Sequence, residues 1–308
     1  MSETHEFTAS EIAAQLSSHI ADKVVLLTGC SSGSLAASVA RTISSHSPAS
    51  LILAGRSRTA LQETEKVILA GTPNVNVKLL ILDLSNHTSI RKAAAEINSL
   101  SEKIDVLINS AGIMACAYEK TADGVERQFA VNHVGPFLLT NLVIDRLSRG
   151  GRVLNITSGA YIWGGVRYDD VNFEKEPYEK FQAYAQAKTA NILFSQGIAE
   201  RLSSRGIFSY SVTPGGVVPT NIGRYLTAED IALIGSDPTI KIKDYDQGTA
   251  TYVTAAFDPE VEAHNGSLLE FCKVRPIEDH CPWARGKDNV DKLWTLSEDL
   301  VGEKFSYV

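Results

Sequence analysis

The chain has 308 residues, of which 44% are hydrophobic, 21% charged and 7% aromatic. This ordinary balance excludes a disordered, collagen-like or low-complexity protein. A formal net charge of −7 without a long basic run excludes the electrostatic footprint of a nucleic-acid binder. From the N-terminus, residues 1–22 read as a polar extension without the apolar core of a signal peptide, and residues 23–308 as one domain. Short Val-, Ile- and Leu-rich runs recur at Val24–Leu27, Leu51–Ala54, Val77–Leu82, Ile104–Ile108, Arg152–Ile156, Ile207–Val212 and Ser267–Phe271, with helical periodicity over Leu35–Ile43, Ala60–Ala70 and Ser89–Leu100 between the early ones.

Near-continuous apolar strands alternating with helices predict an α/β fold, a doubly wound, Rossmann-like parallel sheet of about seven strands in a single domain. Longer helices are predicted over Thr121–Leu147 and Glu179–Leu202. After Pro214 the rhythm breaks, and a short helix starting near Thr227, with Glu229 and Asp230 in its first turn, reads as part of a substrate lid. Lys287–Leu300 reads as an amphipathic helix with Val290, Leu293, Trp294 and Leu296 available for packing. No stretch reaches the roughly 18 uninterrupted apolar residues of a membrane span. Cys30, Cys116, Cys272 and Cys281 form no CxxC pair, which argues against a zinc site or disulfides and fits a reducing, cytoplasmic setting. Asp169 and Asp170 read as a solvated turn, and no metal is called for.

In a doubly wound sheet, ligands sit beyond the carboxyl ends of the strands. The first strand runs into Thr28-Gly29-Cys30-Ser31-Ser32-Gly33-Ser34-Leu35, where Gly29 and Gly33 permit the tight turn that brings the N–H groups around Ser31, Ser32 and Ser34 against a pyrophosphate. Alone, this loop equally fits an ordinary strand-to-helix turn, and Leu35 stands where a third glycine would permit close packing. After the second strand comes Arg56, followed by Ser57 and Arg58, with no acid before Glu63. A cation there suits the 2′-phosphate of NADP, whereas NAD calls for a carboxylate. A solvated surface arginine is the plain alternative.

Tyr184 and Lys188 lie four apart in Tyr-Ala-Gln-Ala-Lys, on one face of a helix. Chance alone yields roughly 0.4 such pairs in a chain of this composition, so an ordinary helix face explains the spacing equally well. Ser158 adds context, standing just beyond the fifth strand in Asn155-Ile156-Thr157-Ser158. The chain here resembles the short-chain dehydrogenase/reductase family, in its retinol-dehydrogenase-like and WW-domain-oxidoreductase-like branch. The likeness spans about Lys23 to Phe271. It rests on Thr28-Gly29 with Gly33, Asp83-Leu84, Asn109-Ser110-Ala111-Gly112, Asn132 in Val-Asn-His-Val-Gly, Ser158, Tyr184 with Lys188, and Pro214-Gly215.

The resemblance implies Tyr184 as general acid/base, Ser158 as a donor to the substrate oxygen, and Lys188 as a ribose ligand that also lowers the tyrosine pKa. It implies that Asn132 holds a relay water, that Asp83 and the Leu84 amide meet the adenine, and that Asn109, Ala111 and Gly112 line the adenosine ribose and pyrophosphate. Plainer roles stay open: Asp83 as a helix cap, Asn109 closing a turn, Asn132 bridging backbone groups. Beyond Pro214-Gly215, Thr220 falls one place late for the family pattern, so either Val217 or Val218 would meet the carboxamide, with Val217 and Thr220 preferred. Tyr161 and Trp163 are candidate pocket linings.

The activity implied is NADP(H)-dependent interconversion of a carbonyl and an alcohol on a hydrophobic small molecule, with retinoids, steroids, aldehydes and secondary metabolites all open. A homodimer through the helices bearing Tyr184 and Asn132 is implied as well. A catalytically silent ligand-binding or regulatory protein, or an epimerase or dehydratase of the superfamily, remain as alternatives.

Overall fold

The computed structural model describes residues 7–217, 220–236, 241–277 and 280–307. Two short helices, α1 (Ala9–Gln15) and α2 (Ser17–Ile20), precede the sheet, and Thr8 closes a capping box with Glu11. Alternating units follow: β1 (Val24–Thr28), α3 (Leu35–Ser44), β2 (Ser50–Gly55), α4 (Arg58–Gly71), β3 (Val77–Ile81), α5 (His87–Asn98) and β4 (Ile104–Asn109). Next come α6 (Arg127–Phe129), a π-turn over Ala130–Val134, α7 (Gly135–Val143), β5 (Leu147–Ile156), α8 (Lys180–Leu202) and β6 (Phe208–Val212). The remainder comprises β7 (Gly216–Val217), α9 (Ala228–Gly235), β8 (Ile242–Lys243), α10 (Tyr245–Phe257), β9 (Leu268–Glu270), β10 (Lys273–Arg275) and α11 (Lys287–Val301).

The main sheet has eight strands in the order β10-β9-β6-β5-β4-β1-β2-β3, all parallel except the β9–β10 pair. The order reverses between β1 and β4, which places the ligand crevice at their carboxyl ends. Apolar side chains fill both faces. Val25, Leu27, Leu51 and Ile108 pack with Val39, Leu61 and Tyr252 on one side, while Leu26, Ile52, Leu107 and Val153 pack with Ile90, Phe137 and Phe194 on the other.

Several boundaries differ from the sequence reading. The helix predicted over Thr121–Leu147 begins only at Arg127, because Lys120 and Glu126 form an antiparallel bridge and the Glu126 carboxylate then caps the amides of Gln128 and Phe129. Its far end is strand: β5 starts at Leu147, five residues before the predicted Arg152. The eighth strand, β10, went unpredicted because all three of its residues are exposed, leaving no apolar signal to read. Residues before Val24 also join the core, with Ala9, Ile12, Ala13 and Ile20 buried and Ser10 bonded through its amide and hydroxyl to Asp246 Oδ1 on α10, each at 3.0 Å.

The C-terminal segment covers the outer face of α7 and α8. Trp294 meets Phe137 and Phe194 at ring separations of 5.1 and 6.0 Å, Phe305 meets Phe137 at 5.8 Å, and Tyr307 hydrogen-bonds Asn141. A Cβ at Gly197 would come within 3.0 Å of the Trp294 ring, so the glycine is what lets α11 approach. Trp294→Ala should therefore cost about 3–5 kcal/mol in urea melts. Leu296→Ala, at a partly buried position, should cost less than half of that.

Candidate active site

The loop between β1 and α3 is shaped by contact with the neighbouring strand. Gly29 has φ +80°, and a Cβ there would stand 2.7 Å from the Ala111 Cα, so only glycine fits against the loop leaving β4. Thr28 Oγ1 joins the same two loops by accepting from the amides of Ser110 and Ala111, each at 3.1 Å. Gly33 has φ +73°, and Ser34 caps α3 by accepting from the Ala37 amide at 3.1 Å. Leu35 is simply the first residue of α3. Between these glycines Ser31 is half-buried and Ser32 exposed, and the Ser32 carbonyl accepts from Asn221 Nδ2 at 2.8 Å.

Arg56 lies just past β2, exposed, and Ser57 spends its oxygen on capping α4 through the Ala60 amide at 3.3 Å. Neither Arg56 nor Arg58 has a side-chain partner among the described residues, which leaves two cations beside the glycine loop. Asp83, beyond β3, holds a local turn, its Oδ1 accepting from the Ser85 amide and hydroxyl at 2.9 and 2.7 Å. Leu84 is buried, and its carbonyl stands so near Gly135 that a Cβ there would lie 2.4 Å away.

The Asn109 amide points into the interior, donating to Thr140 Oγ1 at 3.0 Å and Asn155 Oδ1 at 2.9 Å. Asn155 in turn donates to Ser195 Oγ at 2.9 Å, so one buried polar line crosses α7, β4, β5 and α8. Sequence reasoning missed Asn155, Thr140 and Ser195, although a polar residue inside an apolar strand was the available signal.

Four residues expected to act together do converge. Ser158 follows β5, Tyr184 and Lys188 project from α8, and Asn132 sits in the π-turn. The Ser158 hydroxyl lies close enough to the Tyr184 phenol to pull its pKa down. Lys188 Nζ lies 5.3 Å from the Tyr184 ring centre and donates to the Ile156 carbonyl at 2.9 Å. A Cβ at Gly112 would stand 3.0 Å from Asn132 Oδ1, 3.8 Å from Lys188 Nζ and 3.5 Å from Ile222 Cδ1, so Gly112 forms the floor between them. Asn132 bridges the Ile113 backbone, accepting from its amide at 2.8 Å and donating to its carbonyl at 2.9 Å, which commits the side chain to fixing the β4 loop.

Burial pushes the Tyr184 phenol up to about 12, with the Ser158 hydroxyl pulling against it. Burial also brings Lys188 down to about 7. Both charged forms pay for leaving water.

Past β6, Pro214 and Gly215 lead into β7, where Val217 is buried and packs against Gly248. Val218 lies outside the described residues. Thr220 precedes a short 3₁₀ turn without capping it through its side chain. The helix expected near Thr227 is α9, capped by Thr227 with Asp230, and Asp230 pairs with Lys180 of α8 at 2.5 Å. Tyr161 is core, buried with Ile192, Leu268 and Cys281, whereas Trp163 is 43% exposed and stands edge-on to Phe181 at 6.1 Å. Asp170 is organised where solvation was expected: it binds Arg167 at 2.8 Å and accepts from the amides of Glu174, Lys175 and Glu176. No metal-ligating cluster occurs among the described residues.

The family model for short chain dehydrogenases matches residues 23–230. The chain belongs to that family. Retinol dehydrogenase 12 of Mus musculus is 35% identical over 287 residues, covering 92% of this chain and 87% of that protein. The short-chain dehydrogenase/reductase prx1 of Penicillium rubens is 36% identical over 296 residues, covering 91% and 85%. These relatives place it with the retinol-dehydrogenase-like oxidoreductases. An uncharacterised protein from Mycobacterium Paratuberculosis superposes with a TM-score of 0.71 at 29% identity over 94% of this chain and 96% of that one. A short chain dehydrogenase from Burkholderia cenocepacia, solved with NADP, shares the fold at a TM-score of 0.65 and 22% identity, over 82% of this chain and 96% of that one.

The buried lysine predicts a pH-dependent stability difference. Lys188→Met should raise the thermal midpoint at about pH 6, where the native protein bears the full cost of a buried ammonium. The gain should shrink by about pH 9, where the native lysine is already neutral and only the unfolded one is charged. Scanning calorimetry at both pH values checks the sign.

Proposed function

We propose that this oxidoreductase uses NADP(H) to interconvert a carbonyl and an alcohol on a hydrophobic small molecule. The observation that carries the reading is the chain of neighbours Ser158–Tyr184–Lys188, with Lys188 and Asn132 meeting at Gly112 beside the glycine loop. Tyr184 acts as the general acid and Ser158 holds the substrate oxygen. The phenol is protonated at neutral pH, as a general acid for carbonyl reduction requires. Lys188 holds the nicotinamide ribose, and Asn132 steadies the loop carrying Gly112. Bound NADPH supplies the hydride. Gly29, Ser31, Ser32, Gly33, Ser34 and Leu35 cradle its pyrophosphate at the start of α3, Asp83 and Leu84 face its adenine, and Ala111 and Gly112 its ribose. Pro214, Gly215, Val217 and Thr220 face the nicotinamide.

The residues fit such a group: a glycine-shaped helix N-terminus adjoins exposed arginines whose side chains have no protein partner. For the substrate class, Trp163 and Phe181 offer aromatic surface at the start of α8, and the Lys180–Asp230 pair fastens the lid helix one turn before Tyr184. Retinol dehydrogenase relatives support an apolar substrate. The intact Ser158, Tyr184 and Lys188 argue against a silent binding protein. No helix among the described residues is long and apolar enough to cross a membrane. The four cysteines form no disulfide among the described residues, which supports a reducing, cytoplasmic site of action. The same reading includes a homodimer through the helices bearing Tyr184 and Asn132.

Coenzyme titration followed by fluorescence should give tighter binding of NADPH than NADH by about 5- to 150-fold, and Arg56→Ala should abolish most of that difference. Tyr184→Phe should lower kcat by about 10²–10⁴-fold while leaving the thermal midpoint and NADPH binding nearly unchanged. A screen of apolar aldehydes and ketones, read by NADPH absorbance, tests the activity itself. Wild-type rates in Tyr184→Phe would overturn the assignment.

A further inference from the structure

The carbonyl oxygen of Ile156, the last residue of β5, accepts two buried hydrogen bonds, one from Lys188 Nζ at 2.9 Å and one from Asn191 Nδ2 at 2.9 Å. A carbonyl oxygen has two lone pairs, so this one is saturated. Both donors come from α8, three residues apart and therefore on one side of the helix. That helix is tied to the same strand end a second time, by Thr157 Oγ1 donating to the Lys188 carbonyl at 2.7 Å. The Asn191 amide cannot turn over, because its oxygen would then face the Ile156 oxygen. Behind it lies His133, whose buried ring stands among Phe129, Phe137 and Phe194 and whose Nε2 is 2.8 Å from Ser297 Oγ on α11. Asn191 Oδ1 and His133 Nδ1 are both buried without another hydrogen-bond partner, and the carboxamide lies close enough to the imidazole to raise its pKa.

We propose that Asn191 is a positioning residue for Lys188: by filling one lone pair of the Ile156 carbonyl it confines the ammonium to the other and aims the remaining N–H groups across Gly112. The inference rests on the oxidoreductase reading above, in which those N–H groups serve the coenzyme ribose and the phenol. Lysine carries a flexible four-carbon stem and, unlike arginine, no rigid fork, so its direction must come from its partners. The groups facing Lys188 are Tyr184 on its own helix, Ser158 beyond β5, Asn132 in the π-turn and, through Tyr184, Tyr252 on α10. Burial alone shifts the lysine, so a new charge at position 191 would be felt directly.

Asn191→Leu and Asn191→Asp in the full chain test this, with NADPH affinity, kcat, KM and the pH profile of kcat/KM as readouts. Asn191→Leu should weaken NADPH binding and lower kcat by about three- to tenfold each, the effect of one lost hydrogen bond, with substrate KM unchanged. Asn191→Asp should move the alkaline limb of the pH profile upward by about one unit, since a carboxylate beside Lys188 favours its charged form. A merely structural residue would lower the melting temperature in both variants and leave the limb in place, which overturns the proposal, as do wild-type kinetics in both. Should Asn191→Leu fail to fold, the near-isosteric Asn191→Asp decides alone. A wild-type protein without coenzyme binding or turnover would instead bring down the oxidoreductase reading, a result distinct from any behaviour of these variants.

Discussion

The buried polar line from Thr140 through Asn109 and Asn155 to Ser195 is the constraint on which the rest of this molecule depends. In a dry interior these bonds cannot be exchanged for water, so a misplaced strand or helix leaves a desolvated amide or hydroxyl unpaired. Asn109 and Asn155 are also direct partners across the β4–β5 ladder. The line thereby sets two strands and two helices in one register. Ser158 then falls three residues beyond Asn155, and Tyr184 and Lys188 fall within the three turns of α8 that precede Ser195. The geometry of the candidate site is thus inherited from hydrogen bonds made one layer beneath it.

Burial does to Tyr184 and Lys188 what opposite charge does elsewhere, but with the reverse sign. Each group is pushed toward its neutral form, the phenol upward and the ammonium downward. A polar group placed beside either one is felt more strongly than it would be at an exposed site.

Much of this architecture was legible from residue order. Apolar runs marked seven strands, the glycine turn marked the crevice at the sheet's switch point, and the fourfold spacing with Ser158 marked side chains that the fold brings together. What stayed hidden has specific causes. The break before α6 depends on Glu126 serving as both bridge partner and cap, which helical periodicity does not register. The strand β10 is exposed, polar and three residues long. Asn109 follows its strand like a ligand-facing residue, yet strand parity turns it inward, and parity is fixed only once β5 has paired. The local hydrogen bonds of Asp83 and Asn132 were foreseeable as plain alternatives, and their geometry made them primary.

The covering of α7 and α8 by α11 also has a temporal meaning. A ribosome makes every element of the reacting cluster before it makes Trp294 and Phe305, the side chains that shield Phe137 and Phe194. During synthesis the nascent sheet therefore carries an open aromatic face until its own C-terminal helix emerges. A chain released early would keep that face bare, the kind of surface that chaperones hold and proteases sample.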